Sequence, residues 1–199
     1  MENQIKKLKP MEFVTSFKEL LLDENTHNIM VRGYFNEDKL FLTFACLSDL
    51  KKLNEGIIVI GNTTVPHERE LLQRGIGKNI PKLNLSDTFN INGLTVNFTQ
   101  WKRNRDFPFG FDKDFVIFHP VESALVGKDF PKFCSTLKNA QAKKNILITT
   151  NDFRDTPEKL YPHVDETLIL DTTDINDENK QAYKTIRNNL EADHKPLPY

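Results

Sequence analysis

Gly33 and Lys39 stand in "RGYFNEDKL" (32–40), between an apolar run, "NIMV", and a helix-like one, "FLTFACLSDLKKL". A phosphate-cradling loop has the pattern G-x-x-x-x-G-K-[ST]. Its glycines let backbone N–H groups approach phosphate, its lysine reaches the outer phosphates and its hydroxyl holds Mg²⁺. In this chain Asp38 replaces the second glycine and Leu40 replaces the hydroxyl. Leu40 cannot ligate a metal. A carboxylate ~4 Å from a phosphate charge costs about 4 kcal/mol at an effective dielectric of about 20. The same residues also suit a plain strand, turn and helix. Asn36 is a good N-cap, and Glu37 and Asp38 put negative charge where the helix dipole favours it. One reading unites the two: the protein's own carboxylates occupy a helix N-terminus that otherwise attracts phosphate.

A second group is "TQWKRNRDF" (99–107). Lys102, Arg103 and Arg105 have the charge to contact phosphates, and Trp101 has a ring able to stack on a base. The structural alternative is a solvated basic loop with Trp101 in the core. His67, His119 and His163 lie on different elements and read as hydrogen-bonded structural residues. The five histidines lack metal-ligand spacing.

Bulk composition narrows the classes. The 199 residues carry a formal net charge of −1, so any basic surface must be local. No apolar run approaches the roughly 20 residues that span a bilayer. The N-terminus, "MENQIKKLKPMEF", lacks the apolar core of a secretory signal. The two cysteines, Cys46 and Cys134, read as reduced core thiols of an intracellular protein, with no metal or cofactor.

Apolar strand-like runs alternate with helical ones. Residues 10–24 read as a helix, 28–35 as a strand, 37–53 as a helix, 56–62 as a strand and 67–75 as a helix. "TFNINGLTVNFTQW" (88–101) is a β-hairpin around Asn92-Gly93. Strand 114–121, helix 130–144, strand 145–152, a helical turn at 156–163 and strand 166–173 follow. The remaining tail reads either as a helix or as a last edge strand with an extended end. Such alternation predicts one α/β domain over 1–199, with a mainly parallel sheet covered on both faces. Residues 1–9, with Lys6, Lys7 and Lys9, read as a flexible basic arm.

This order of motifs resembles the RecA-type ATPase core, a P-loop NTPase-type fold, in the form taken by recombinase paralogues. After the loop and its helix, "EGIIVIGNTTVPHERELLQRGI" looks like the second strand and helix. "DFVIFHPVESALVGKDF" looks like the Walker B strand, and "KKNILITTNDF" like the sensor strand. The Walker B strand of that family ends in an aspartate; here it ends in His119 and Pro120, with Glu122 beyond. After the second strand only Glu68 and Glu70 are on offer as a catalytic glutamate. The resemblance therefore implies a pseudo-ATPase with changes at Asp38, Leu40 and His119. Its implied role is a non-catalytic subunit that pairs with an ATP-competent RecA-type paralogue or recombinase. It would act on a recombinase filament or single-stranded DNA in recombinational repair, in the nucleus of a eukaryote. An alternative of the same fold is an Elongator-type accessory subunit in tRNA modification. A third resemblance joins Asp87, Gln100 and Lys102 to the D…Q-x-K metal site of Mrr-like nucleases, although Phe98 stands where a second acidic ligand is needed.

Overall fold

The computed structural model describes residues 4–61, 64–85, 87–101, 110–150 and 153–199. Its elements in chain order are β1 (Gln4–Leu8), α1 (Pro10–Leu22), β2 (Asn28–Arg32), α2 (Asn36–Asp49), β3 (Glu55–Ile60), α3 (Val65–Ile76), β4 (Thr88–Ile91), β5 (Leu94–Gln100), β6 (Phe115–His119), α4 (Asp129–Lys138), β7 (Lys144–Ile148), β8 (Glu166–Leu170) and α5 (Asp177–Ala192). Two 3₁₀ turns, Val121–Ala124 and Thr156–His163, follow β6 and β7. The strands form one eight-stranded sheet in the order β1-β8-β2-β7-β6-β3-β5-β4. Every pairing is parallel except the β4–β5 hairpin, where Asn92 (φ 57°) and Gly93 (φ 87°) make the turn.

Continuous apolar strands need cover on both faces, and alternation along each strand divides the core in two. Ile29, Val31, Ile58, Ile60, Phe115, Ile117, Ile146 and Ile148 face a core shared with α1, α2 and α3. Met30, Val59, Val116, Phe118 and Leu147 face a second core with Trp101, Phe133 of α4 and Leu160. The α/β reading with flanking helices therefore holds.

One stretch differs from the expectation for it, and a second decides between two expectations left open. Residues 4–8 are an edge strand beside β8, in register Gln4↔Glu166 to Leu8↔Leu170, and no flexible arm. Lys6 pairs with Glu166 at 3.3 Å, and Lys9 with Asp174 at 2.8 Å and Asp171 at 3.2 Å. Lysines on an exposed edge strand discourage further strand pairing, and that is a reason for charge in so short a strand. The tail from Asp177 is a helix, capped where Asn176 Oδ1 accepts from Asn179 N–H at 2.7 Å.

Asp114 ties three strand starts together. Its Oδ2 accepts from Asn54 N–H (2.9 Å) and Glu55 N–H (3.0 Å), and its Oδ1 from Lys143 Nζ (2.7 Å). Burial alone would push this carboxyl up, but those donors outweigh it and hold it below its ordinary value. A carboxylate depressed on folding contributes stability above its unfolded pKa and loses it as pH falls through the folded value. Urea midpoints should therefore fall on acidification below about pH 4, and Asp114→Asn should flatten that acid limb relative to the parent. Parallel acid limbs in the two proteins would remove Asp114 from the explanation.

Candidate functional site

Parallel strands bring their carboxyl ends to one edge, where open α/β sheets bind ligands. The ends of β2, β8, β7 and β6 are neighbours there, and the groups singled out around the loop and around His119 converge on that edge. Each of them is engaged with the protein itself.

Gly33 has φ 147°, and a Cβ at this position would lie 2.6 Å from the carbonyl oxygen of Leu170. Close packing of the loop on β8 thus requires the glycine, independently of any phosphate. Asp38 Oδ2 accepts from Thr172 Oγ1 at 2.5 Å and from Asn179 Nδ2 at 3.0 Å, tying α2 to the segment before α5 and to the first turn of α5. Lys39 is fully buried. Its ammonium donates to Gly33 O, to Thr149 Oγ1 at 3.1 Å and to Thr150 O at 3.0 Å. An ammonium has three donors, and these acceptors match them. Leu40 is also fully buried and lies against Gly75 of α3, where an added Cβ would meet Leu40 Cβ at 2.5 Å.

His119, at the end of β6, is fully buried. Its Nδ1 lies 2.5 Å from Glu68 Oε1, and Glu68 is fully buried too. Its Nε2 lies 3.0 Å from Asn36 Oδ1 at the start of α2. One polar chain, Asn36–His119–Glu68, thus joins α2, β6 and α3. Glu122 Oε1 accepts from Thr150 N–H (2.7 Å) and Thr150 Oγ1 (3.3 Å), which fixes the chain just after β7.

These residues do not fit a magnesium nucleotide. Position 40 has no oxygen for a metal, the lysine amine is turned onto protein oxygens, and the carboxylate of Asp38 lies in the first turn of α2. What the arrangement does chemically is to engage Asp38 and Lys39 with groups of the chain itself, while α2 starts after Phe35 with no side-chain cap bond, so Asn36 is its first residue and not its cap.

The second sequence candidate divides. Trp101 is 3% exposed and packs edge-on against Phe133, with centroids 5.2 Å apart. The ring is core, and its face is not open to a base: it follows β5 on the face of the half-buried Thr95, Asn97 and Thr99, opposite to the buried Leu94, Val96 and Phe98, and Phe133 of α4 covers it there. Lys102, Arg103 and Arg105 lie outside the described residues. Trp101 is the single tryptophan of the chain, so its fluorescence reports this directly. Its emission should be blue-shifted, poorly quenched by iodide and unchanged by single-stranded DNA. Strong quenching, or a response to DNA, would restore the stacking role.

Asp87 and Gln100 sit on the hairpin, where Asn97 Nδ2 donates to Asp87 O at 3.3 Å. Among the described residues, no three His, Cys, Asp or Glu side chains are grouped to hold a metal. Among them also, no helix is long and apolar enough to cross a membrane. Cys46 is buried, and burial pushes its thiol up to about 11, as suits a core residue.

Two features escaped the sequence reading. Glu68 was visible only as a glutamate after the second strand; its pairing needs the β3–β6 adjacency. Arg32 is fully buried at the end of β2. Its guanidinium donates to the Tyr161 hydroxyl, reaches Glu158 Oε1 at 3.5 Å and Arg154 O at 3.4 Å, and faces the Tyr199 ring at 5.1 Å. An arginine at the end of a strand gives no sequence sign that a distant tail will cover it.

The chain matches no known family, no curated protein and no solved structure. Its class therefore rests on the geometry: an α/β protein with an eight-stranded, mostly parallel sheet flanked by helices.

Proposed function

We propose that this chain is a non-hydrolysing subunit of RecA-like fold, which works by pairing with an ATP-competent relative. The observation that carries the proposal is the self-occupied loop: Asp38, Lys39, Leu40 and His119 all bond or pack within the chain. The strand order supports the fold assignment. The sensor-like β7 lies between the loop strand β2 and the Walker-B-like β6, so the three motif-bearing ends are adjacent. A domain that keeps such a frame without its nucleotide chemistry is left with binding as its means of action.

Two settings share this fold: recombinational repair on single-stranded DNA, and Elongator-type tRNA modification. The burial of Trp101 removes the base-stacking platform that favoured single-stranded DNA. It thereby favours the Elongator-type accessory subunit, which acts through protein contacts within a RecA-like hetero-oligomer. A tagged chain recovered from its own cell extract and analysed by mass spectrometry tests both. A RecA-type relative in comparable amount is expected, with either Elongator subunits or a recombinase beside it. Recovery without any RecA-type relative would overturn the proposal.

A further inference from the structure

The tail "KPLPY" (195–199) turns back from α5 toward the carboxyl edge of the sheet, next to the self-occupied loop. Its Tyr199 ring sits 4.9 Å from the Tyr34 ring, and Tyr34 also meets Tyr183 (5.3 Å) and Phe153 (6.3 Å). Two cations flank the same Tyr199 ring, Arg32 at 5.1 Å and Lys7 at 5.9 Å. Tyr161 completes the wall, with Arg32 5.5 Å from its ring centroid. The tail is seated in a groove of aromatic rings around a buried arginine.

Its seat is incomplete. Residues 193–197 are exposed. A surface depression of ≈ 490 Å³ is lined by Pro196 and Pro198 together with Phe153, Arg154 and Leu190. The depression is open to solvent on one side, in keeping with the exposure of the residues that lead into the tail. The last backbone bonds before the prolines, Lys195 N–H to Leu190 O and His194 N–H to Glu191 O, belong to the end of α5.

We propose that this groove is a docking site for a proline-flanked aromatic segment of a protein partner, and that residues 195–199 fill it in cis as a displaceable strap. The seated tail states the chemistry of the occupant. Prolines pre-set an extended backbone at low entropic cost, and aromatic-lined grooves recognise such segments. The ring that follows them must suit two flanking cations, which an electron-rich aromatic does. A tethered segment has an effective concentration in the millimolar range, so a free segment competes poorly until the strap leaves. The test uses the isolated chain, so its outcome does not depend on the proposed RecA-like pairing.

The test measures anisotropy of a fluorescein-labelled peptide, Lys-Pro-Leu-Pro-Tyr, against three proteins: the full chain, a variant ending at Asp193, and full-length Tyr199→Ala. The variant ending at Asp193 should bind the peptide at least tenfold more tightly than the full chain, and Tyr199→Ala should lie between them. A peptide with Ala in place of Tyr should lose at least tenfold on either variant. If the shortened chain does not fold, Tyr199→Ala alone decides. Binding by the folded variants no tighter than by the full chain overturns the proposal. A concentration-dependent dimer of the full chain, abolished by Tyr199→Ala, overturns it as well, because the occupant would then be the tail of a second copy.

Discussion

Replacing His119 by alanine is expected to remove about 3–5 kcal/mol of folding stability, the range for breaking a buried, bonded pair by deleting one partner. Glu68 would be left in the interior without its 2.5 Å contact, and Asn36 Oδ1 would lose its contact at the start of α2. Whole domains are stable by only about 5–15 kcal/mol, so the variant should melt far below the parent or fail to fold at 37 °C. Glu68→Ala should be similarly damaging. Removing both polar groups in favour of apolar ones of similar size, Glu68→Leu with His119→Phe, should recover a large part of the loss, because neither partner is then buried without the other. Urea melts of the single and double variants would show this as strong non-additivity. Additive losses, or a His119→Ala variant within about 0.5 kcal/mol of the parent, would mean that the pair is not the clasp described here.

Lys39 gives the second large effect, and it separates a structural lysine from a nucleotide-binding one. In a working phosphate loop the lysine serves the ligand, and its loss costs affinity while the apo fold stands. Here Lys39→Met keeps the packed stem but strips Gly33 O, Thr149 Oγ1 and Thr150 O of a buried donor. Thr149 Oγ1 keeps its bond to Val31 O at 3.4 Å, and the loss of buried hydrogen bonds is expected to cost about 1–3 kcal/mol in a urea melt. Lys39→Arg should not rescue it, because a planar fork cannot reproduce three convergent bonds from one nitrogen. A stable Lys39→Met variant would refute the structural assignment of this residue.

The alternation of apolar runs with helical ones was legible in the sequence, since a strand buried on both faces must be apolar throughout. β2, β3, β6 and β7 were all marked by that, and the hairpin by Asn92-Gly93. The edges were less legible. β1 has five residues with two adjacent lysines, and only its parallel register on β8 makes it a strand. α5 has little apolar content, with Leu190 as its one buried residue. Both elements take their form from what they lie beside.

At the site, the sequence marked the positions but not their partners. Asp38, Leu40 and His119 were visible as departures from the RecA-type pattern that the sequence resembles. Their occupants, Thr172 and Asn179, Gly75, and Glu68 with Asn36, come from elements as far as 141 residues away, and only the strand order brings them together. Trp101 went the other way. Beside three basic residues it looked like a nucleic-acid contact, yet burial between β5 and α4 is what its size dictates.

We propose that the carboxyl edge of the sheet is closed to nucleotide by the chain's own side chains. The decisive measurement is isothermal titration of the isolated protein with MgATP, followed by a phosphate-release assay on the same sample. The expected result is no binding heat at millimolar MgATP and no turnover above the buffer. Micromolar binding with steady hydrolysis, lost in a folded Lys39→Ala variant, would contradict it.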